Sequence, residues 1–232
     1  MMTLPLLDSR LIQQSLAQFG YARINSVLTP EQCQHLCTSY EQASLFRSRI
    51  VMQRYNFGAG EYQYFDYPLP APVDQLRQWG YAALSPIAND WADRLQLDQH
   101  FPEQLDDFLQ RCHQHGQVRP TPLLLRYQAG DYNCLHQDLY GEHVFPLQMA
   151  IMLSRPGTDF QGGEFALTEQ RPRMQSRIEV VPLAQGDAVV FPVQYRPAQG
   201  SRGYHRVQMR HGVSRIHSGQ RYMLGIIFHD AN

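Results

Sequence analysis

The chain of 232 residues contains no lysine, so its 20 strongly basic side chains are all arginines. Residues 1–118 hold 8 arginines and 12 acidic residues, a balance of −4. Residues 119–232 hold 12 arginines and 9 acidic residues, a balance of +3. The C-terminal half could therefore carry a basic surface, but a net charge of −1 is not by itself typical of a nucleic-acid-binding protein.

Cysteine is also scarce. The chain has four cysteines: Cys33, Cys37, Cys112 and Cys134. None forms a Cys-x-x-Cys pair, and the first two have helical spacing rather than the spacing of a zinc knuckle. We therefore expect free or buried thiols and no structural zinc.

Long apolar runs are absent as well. No run approaches the roughly 18 residues of a transmembrane helix, and the first residues, MMTLPLLDSR, lack the basic start and apolar stretch of a secretory signal. We therefore expect a cytoplasmic protein with no membrane partner. The length suits one domain with a proper hydrophobic core, and the oligomeric state stays open.

The pattern of apolar residues divides the chain into two parts. Residues 1–118 are predicted to form a mainly helical N-terminal extension, with an aromatic loop or short hairpin at 50–70. Helices are predicted over four segments: 9–20, 29–46, 72–96 and 102–115. Residues 119–232 contain many short strands separated by turns, which is typical of a jelly roll. We predict a single α+β domain over 1–232, a double-stranded β-helix (jelly-roll) core with the N-terminal helices bracing one sheet.

The tripeptide His136-Gln137-Asp138 offers two metal ligands. In an extended segment, alternate residues point to the same face, so His136 and Asp138 converge while Gln137 points away. A third ligand would complete a facial triad, which leaves positions open for substrate and oxygen. His211, in a predicted late strand, is the best candidate, because the other histidines lie in loops, end a polar helix or lack partners.

Arg221 follows His211 by ten residues in the last predicted strand, where it could bind a carboxylate through two parallel hydrogen bonds. The intervening His217-Ser218-Gly219 fits a three-residue hairpin loop. In that register His211 pairs with Gly225 and Arg215 pairs with Arg221. We therefore expect His211 and Arg221 on one face, with their backbones roughly 13 Å apart. A four-residue loop would place them on opposite faces.

Four motifs follow one another in the C-terminal half: RYQAGDYNCLHQD (126–138), GGEF (162–165), GDAVVF (186–191) and HGVSRIHSGQRYMLGIIF (211–228). Together they resemble the motifs of the 2-oxoglutarate/Fe(II) dioxygenase superfamily. Further stretches, among them GEYQYFDYPLP and GGEFALTEQRPRMQSR, are similar to one prokaryotic family of that superfamily. A role in oxidative demethylation of damaged DNA bases, akin to that of AlkB-type enzymes, has been assigned to this family.

The resemblance, which covers most of the chain, implies an enzyme that uses Fe(II), 2-oxoglutarate and O2. Three residues match the iron ligands: His136, Asp138 and His211. Arg221 matches the residue that binds the distal carboxylate of 2-oxoglutarate, and Tyr127 matches a tyrosine that contacts the cosubstrate. AlkB-type proteins carry a further arginine six residues after the clamp, where this chain has Ile227. The AlkB-type contacts to substrate therefore do not carry over.

Two segments favour single-stranded or damaged nucleic acid as a partner. Tyr62 and Tyr64 in the aromatic segment offer faces on which bases could stack. Arg196 and Arg202 lie in a stretch, 195–206, that alternates basic and aromatic residues and could contact phosphates. The alternative for the tyrosines is packing against the core, and the alternative for each arginine is an ordinary solvated loop charge.

Three other functions stay open. The same chemistry could hydroxylate a protein side chain or a small molecule, although prolyl hydroxylases usually carry lysine at the clamp position. A metal-binding jelly roll that is not an oxygenase, such as a cupin isomerase, would not need the downstream arginine. A non-catalytic binding module would not need the complete His-Asp-His set.

Overall fold

The computed structural model describes residues 4–201 and 203–232. Four helices lie in the first half of the chain: α1 (Ser9–Phe19), α2 (Pro30–Ser39), α3 (Ala71–Arg94) and α4 (Leu105–Gln114). Gly20 adopts a left-handed φ of 82° and ends α1. The side chain of Thr29 accepts a hydrogen bond from the backbone N–H of Gln32 in a capping box that begins α2. No helix within the described ranges is both long and apolar enough to cross a membrane.

Most strands belong to a sheet that we call the major sheet. Its members are β1 (Ala22–Ile24), β2 (Phe46–Val51), β4 (Glu61–Phe65), β5 (Leu123–Gln128), β7 (Leu147–Met152), β8 (Phe160–Gly162), β11 (Ala188–Pro192) and β14 (Ile216–Ile226). The order is β1-β11-β7-β14-β5-β4-β2, with β8 beside β14.

The remaining strands form the minor sheet. They are β3 (Gly58–Ala59), β6 (Tyr132–His136), β9 (Phe165–Gln170), β10 (Arg177–Val181), β12 (Tyr195–Gly200) and β13 (Gly203–Val213). The order is β10-β9-β13-β6-β3, with β12 beside β13. Two antiparallel sheets with helices confirm the predicted α+β jelly roll.

Two hydrophobic clusters separate the layers of the fold. One lies between the helices and the major sheet, and the other lies between the two sheets. The alternation of β7 shows the division, because Leu147 and Met149 belong to the helical cluster while Ala150 and Met152 belong to the cluster between the sheets. The N-terminal helices therefore cover one sheet, as predicted.

α2 ends at Ser39, well before the predicted end near residue 46. A 3-10 turn and β2 occupy the rest of the predicted helix. Phe46 pairs with Phe65 of β4, and their ring centroids lie 4.7 Å apart. The difference arises because this aromatic pairing within the sheet outweighs local helix propensity.

The aromatic segment 50–70 is a hairpin rather than a loop. β2 and β4 pair antiparallel, and β4 also pairs with β5, so the segment extends the major sheet. A short 3-10 helix, Met52–Tyr55, follows β2 and precedes β3. The first half of the chain therefore supplies strands to the jelly roll as well as helices.

The predicted hairpin between β13 and β14 is wrong. The two strands belong to different sheets, so the predicted pairs of His211 with Gly225 and of Arg215 with Arg221 do not form. Instead, Arg221 lies opposite Tyr127 of β5. Gly219 has the expected left-handed φ of 80°, but it lies beside β8 rather than at the turn of a hairpin. Each strand instead finds both of its neighbours in its own sheet, since β13 pairs with β6 and β9 whereas β14 pairs with β5 and β7.

Candidate metal centre and cosubstrate pocket

His136, Asp138 and His211 converge between the two sheets. One potential ligand atom of each residue lies within 4.8 Å of those of the other two. Nε2 of His211 is 3.3 Å from Oδ2 of Asp138, and Nε2 of His136 is 3.6 Å from Oδ1 of the same carboxylate. Two imidazoles and one carboxylate at these distances are the donor set of a non-haem Fe(II) site.

Strand pairing accounts for the convergence. His136 ends β6, and His211 lies directly opposite it on β13, with ring centroids 4.1 Å apart. Asp138 follows two residues later. Gln137 points away and donates from Nε2 to the carbonyl oxygen of Met209 at 2.8 Å. The alternation predicted for the tripeptide is therefore present, although the strand itself ends at His136.

Neighbouring groups orient two of these three side chains, His136 and Asp138. Nδ1 of His136 lies 2.8 Å from the carbonyl oxygen of Cys134, which leaves Nε2 facing Asp138. The hydroxyl of Tyr140 donates to Oδ1 of Asp138 at 2.9 Å. Tyr64 in turn donates to the Tyr140 hydroxyl at 3.0 Å. Two tyrosines thus form a hydrogen-bonded chain that ends on the carboxylate.

The electrostatics favour the protonation states that bind metals. Burial alone would raise the pKa of Asp138, but hydrogen bonding and charge from His211, together with His136, hold it well below its ordinary value. Burial lowers the pKa of His211. Near neutral pH, Asp138 is therefore a carboxylate and His211 a neutral imidazole, as metal coordination requires.

Arg221 is fully buried, and no acidic side chain in residues 4–201 and 203–232 forms an ion pair with it. Its Nε and Nη1 atoms have no hydrogen-bond partner among the described residues, and Nη2 lies 3.1 Å from the sulfur of Met223. The ring centroid of Tyr127 is 5.5 Å from the guanidinium carbon. Burial lowers the pKa of Arg221 to about 10. An unpaired buried guanidinium is costly, and a ligand carboxylate bound through two hydrogen bonds would relieve that cost. The distal carboxylate of 2-oxoglutarate fits this requirement.

The second glycine of the GGEF motif makes room beside this arginine. Gly163 has a φ of 65°, a backbone conformation that residues other than glycine rarely adopt. A Cβ atom there would overlap the side chain of Ile216 and lie 3.0 Å from Cδ of Arg221. The motif is thus explained by the close approach of the backbone to the arginine stem.

A cavity of about 210 Å³ opens onto the His-Asp-His group. Tyr127 and Met223 line it, so Arg221 lies directly behind this part of the cavity wall. Phe57 and Leu139 also line the cavity and are 46% and 44% exposed, which places them towards its mouth. Tyr55 stacks on Phe57 with a centroid distance of 5.5 Å. The cavity is therefore mostly apolar and has exposed aromatic groups at its entrance.

The structure places the predicted substrate-contacting residues in different surroundings. Tyr62 lines the cavity. The buried Tyr64 instead packs edge-on against the Tyr62 ring and donates a hydrogen bond to the Tyr140 hydroxyl. The predicted contact of Arg196 with a phosphate is wrong. This side chain is only 2% exposed, is paired with the buried Glu169 and cannot reach a phosphate in solution. The cause is that residues 195–200 form β12 rather than a loop. Arg202 lies outside the described residues.

Two residues that line the cavity, Tyr140 and Gln148, were not predicted from the sequence. Tyr140 stands two positions after Asp138, so the same alternation that pairs His136 with Asp138 could have identified it. Gln148 also lines the cavity. It is the polar position in the apolar run Leu147–Met152, and a polar residue in a buried strand is a signal of its own.

The comparisons with known proteins agree with this geometry. A family model described as an oxygenase catalysing oxidative methylation of damaged DNA matches residues 60–231. The chain belongs to this oxygenase family. Its relatives include uncharacterised proteins from two strains of Mycobacterium tuberculosis, H37Rv and CDC 1551. Each is 51% identical over 167 residues, which is 72% of this chain and 72% of the relative.

Solved structures show the same fold as the oxygenase. A prolyl-4-hydroxylase from Pseudomonas putida aligns with a TM-score of 0.54 at 15% identity, covering 94% of this chain and 96% of its own. A 2OG-Fe(II) oxygenase family oxidoreductase from Burkholderia pseudomallei aligns with a TM-score of 0.53 at 14% identity, covering 99% and 95%. The oxygenase therefore combines its family membership with this fold and with a His-Asp-His group whose donor atoms suit Fe(II).

Proposed function

We propose that the oxygenase removes N-methyl groups from damaged bases of single-stranded nucleic acid by oxidising them. His136, Asp138 and His211 would hold the iron, and Arg221 would bind the distal carboxylate of 2-oxoglutarate. The observation that carries the assignment is a buried, unpaired guanidinium in the same sandwich as a three-residue metal-ligand group. The family description, which concerns damaged DNA, supports the choice of substrate.

The chain's own residues perform binding, orientation and exclusion of water. When bound, Fe(II) and 2-oxoglutarate supply the oxidation of a substrate C–H bond by O2. Tyr140 holds the Asp138 carboxylate in one orientation, and Tyr127 packs on Arg221 where the cosubstrate would be anchored. The apolar cavity excludes water around the methyl group. A hydroxylated N-methyl group then breaks down to formaldehyde and the unmodified base.

The entrance of the cavity suits an unstacked base. Tyr55 and Phe57 form an exposed stacked pair, and successive aromatic faces are typical of surfaces that bind single strands. The exposed Arg54 directly precedes this pair and could contact a phosphate. Tyr62 offers a further aromatic face inside the cavity. A base turned out of its strand would meet aromatic groups from the mouth inwards.

The test is a substrate screen with the iron-loaded protein. Methylated single-stranded oligonucleotides should stimulate release of both succinate and formaldehyde, whereas the unmethylated strands should not. Asp138→Ala should abolish both products because it removes a proposed iron ligand. Absence of any stimulation, together with turnover of a peptide or metabolite, would refute the nucleic-acid assignment while leaving the iron and 2-oxoglutarate assignments intact.

Hydroxylation of a protein side chain is the second candidate. The observation in its favour is the exposure of aliphatic residues near the metal group, with Leu135 48% and Leu139 44% exposed. An apolar rim of this kind also suits a peptide substrate. A peptide library in the same screen separates the two functions.

A further inference from the structure

One polar side chain, Gln148, lies on the inner face of β7. Its neighbours Leu147 and Met149 pack into the helical cluster, so Gln148 points into the sandwich on the same face as Ala150. It is 3% exposed and lines the cavity that opens onto the metal-ligand group. Phe191 lies directly opposite it on β11, and the Phe191 ring is 4.8 Å from that of His211. Phe191 is therefore a neighbour both of Gln148 and of His211, a proposed iron ligand.

The amide nitrogen of Gln148 is unpaired. Among the described residues, Nε2 has no hydrogen-bond partner although it is buried. Three other polar side chains of the cavity already donate to protein groups: Asn133 to the hydroxyl of Tyr127 at 3.3 Å, Gln137 to the carbonyl of Met209 at 2.8 Å and Tyr140 to Asp138 at 2.9 Å. A buried donor left without a partner is unfavourable, so the Gln148 amide is available to a bound molecule.

The charge of the lining restricts that molecule further. Within the part of the chain that the structure describes, the lining of this cavity contains no arginine and no glutamate. Its one carboxylate, Asp138, is already in contact with Tyr140 and the two histidines. A cation entering the cavity would find no free counter-charge, whereas a neutral group with a hydrogen-bond acceptor would satisfy Gln148.

Building on the proposed function, we propose that Gln148 reads the substrate by donating a hydrogen bond to a carbonyl oxygen beside the methylated nitrogen. The preferred substrate class is then a neutral methylated lactam base, of the thymine, uracil or guanine type. Adenine methylated at N1 has no carbonyl oxygen beside the methylated nitrogen and carries a positive charge. Cytosine methylated at N3 keeps such a carbonyl but is also a cation, so both fit this cavity less well than the neutral lactam bases. Gln148 is a specificity-determining residue in this scheme.

Two single-stranded oligonucleotides, one with 3-methylthymine and one with 1-methyladenine, test the proposal. Wild-type protein should oxidise the 3-methylthymine strand with a kcat/KM about tenfold or more above that for 1-methyladenine. Gln148→Met, which removes the amide at similar volume, should reduce this ratio about tenfold. Gln148→Glu, which adds an acceptor and a negative charge, should reverse the preference. Binding of the two strands measured without O2 should follow the same order.

Gln63→Met is the matched control, because Gln63 is a buried glutamine on the same sheet whose Nε2 donates to the carbonyl of Tyr40 at 2.7 Å. It should leave the substrate ratio unchanged. A ratio that Gln148→Met does not alter, or a wild-type preference for 1-methyladenine, would overturn the role of Gln148. Failure of wild-type protein to oxidise either strand would instead overturn the proposed function itself.

Discussion

Two buried arginines in this molecule have opposite surroundings. Arg77, in the layer between helices and major sheet, is 1% exposed and uses all three nitrogens: Nε donates to the carbonyl of Ile227 at 2.9 Å, Nη1 to Tyr67 at 3.0 Å and Nη2 to Asp230 at 2.7 Å. Arg221, between the two sheets, is 0% exposed and has no oxygen partner among the described residues. The protein completes the first site by itself, whereas the proposed 2-oxoglutarate carboxylate would complete the second. Burial of a charge therefore indicates structure in one region and binding in the other.

The largest expected effect concerns Arg77. Arg77→Met removes the buried guanidinium from Asp230, which keeps its contacts with Tyr67 and His113, so the free energy of unfolding should fall by about 3–5 kcal/mol. Urea denaturation of the metal-free protein measures this change. The matched variant Arg221→Met should leave the same free energy unchanged or raise it, since it removes an unpaired buried charge. Equal destabilisation by both variants would abolish the distinction between the two arginines.

For the binding of 2-oxoglutarate, the substitution of Arg221 should have a larger effect than that of Arg77. Arg221→Met removes the proposed charged donor to the distal carboxylate, so the Kd for 2-oxoglutarate should rise about a hundredfold, equivalent to roughly 3 kcal/mol. Calorimetric titration with Mn²⁺ in place of iron measures the Kd without turnover. Metal affinity in the absence of 2-oxoglutarate should stay at the wild-type value. An unchanged Kd for 2-oxoglutarate would remove the clamp assignment.

A smaller effect is expected at Tyr140, which orients Asp138 rather than binding metal itself. Tyr140→Phe deletes the hydroxyl that donates to Asp138, so metal affinity should fall about tenfold to a hundredfold. Competition with a metal chelator under anaerobic conditions gives this affinity. Tyr81→Phe is the control, because the Tyr81 hydroxyl donates to the carbonyl of Pro102 in the helical layer. A loss of equal size in both variants would point to general destabilisation.

The pair of His136 and Asp138 could be predicted from the sequence because its cause is local, whereas the approach of His211 depends on the pairing of β13 with β6. The alternation of His136 and Asp138 along one segment follows from the geometry of extended chains, and the glycine and threonine caps of α1 and α2 are equally local. The position of Arg221 was expected on the basis of a hairpin that does not form. The correct arrangement depends on which sheet each strand joins, and that choice is set by packing across the sandwich rather than by the turn sequence.

The substrate-contacting residues were harder to predict for the same reason. The 195–206 stretch has the composition of a basic surface loop, but pairing with β13 turns part of it into β12 and buries Arg196 against Glu169. The free amide of Gln148 depends on which polar groups other strands bring near it. Whether a buried donor has a hydrogen-bond partner depends on the packing of the folded interior. It therefore cannot be predicted from the residues of one strand alone.

The crossing between β13 and β14 has a consequence for the choice of cosubstrate. His211 lies on the minor sheet and Arg221 on the major sheet, and facing sheets are held roughly 10 Å apart by the side chains packed between them. If Arg221 binds the distal carboxylate as proposed, a dicarboxylic acid held at the metal group by its other end would have to match that separation. Discrimination between diacids that differ by one methylene group would then depend on the thickness of the sandwich, which is set by core residues that contact neither end of the ligand.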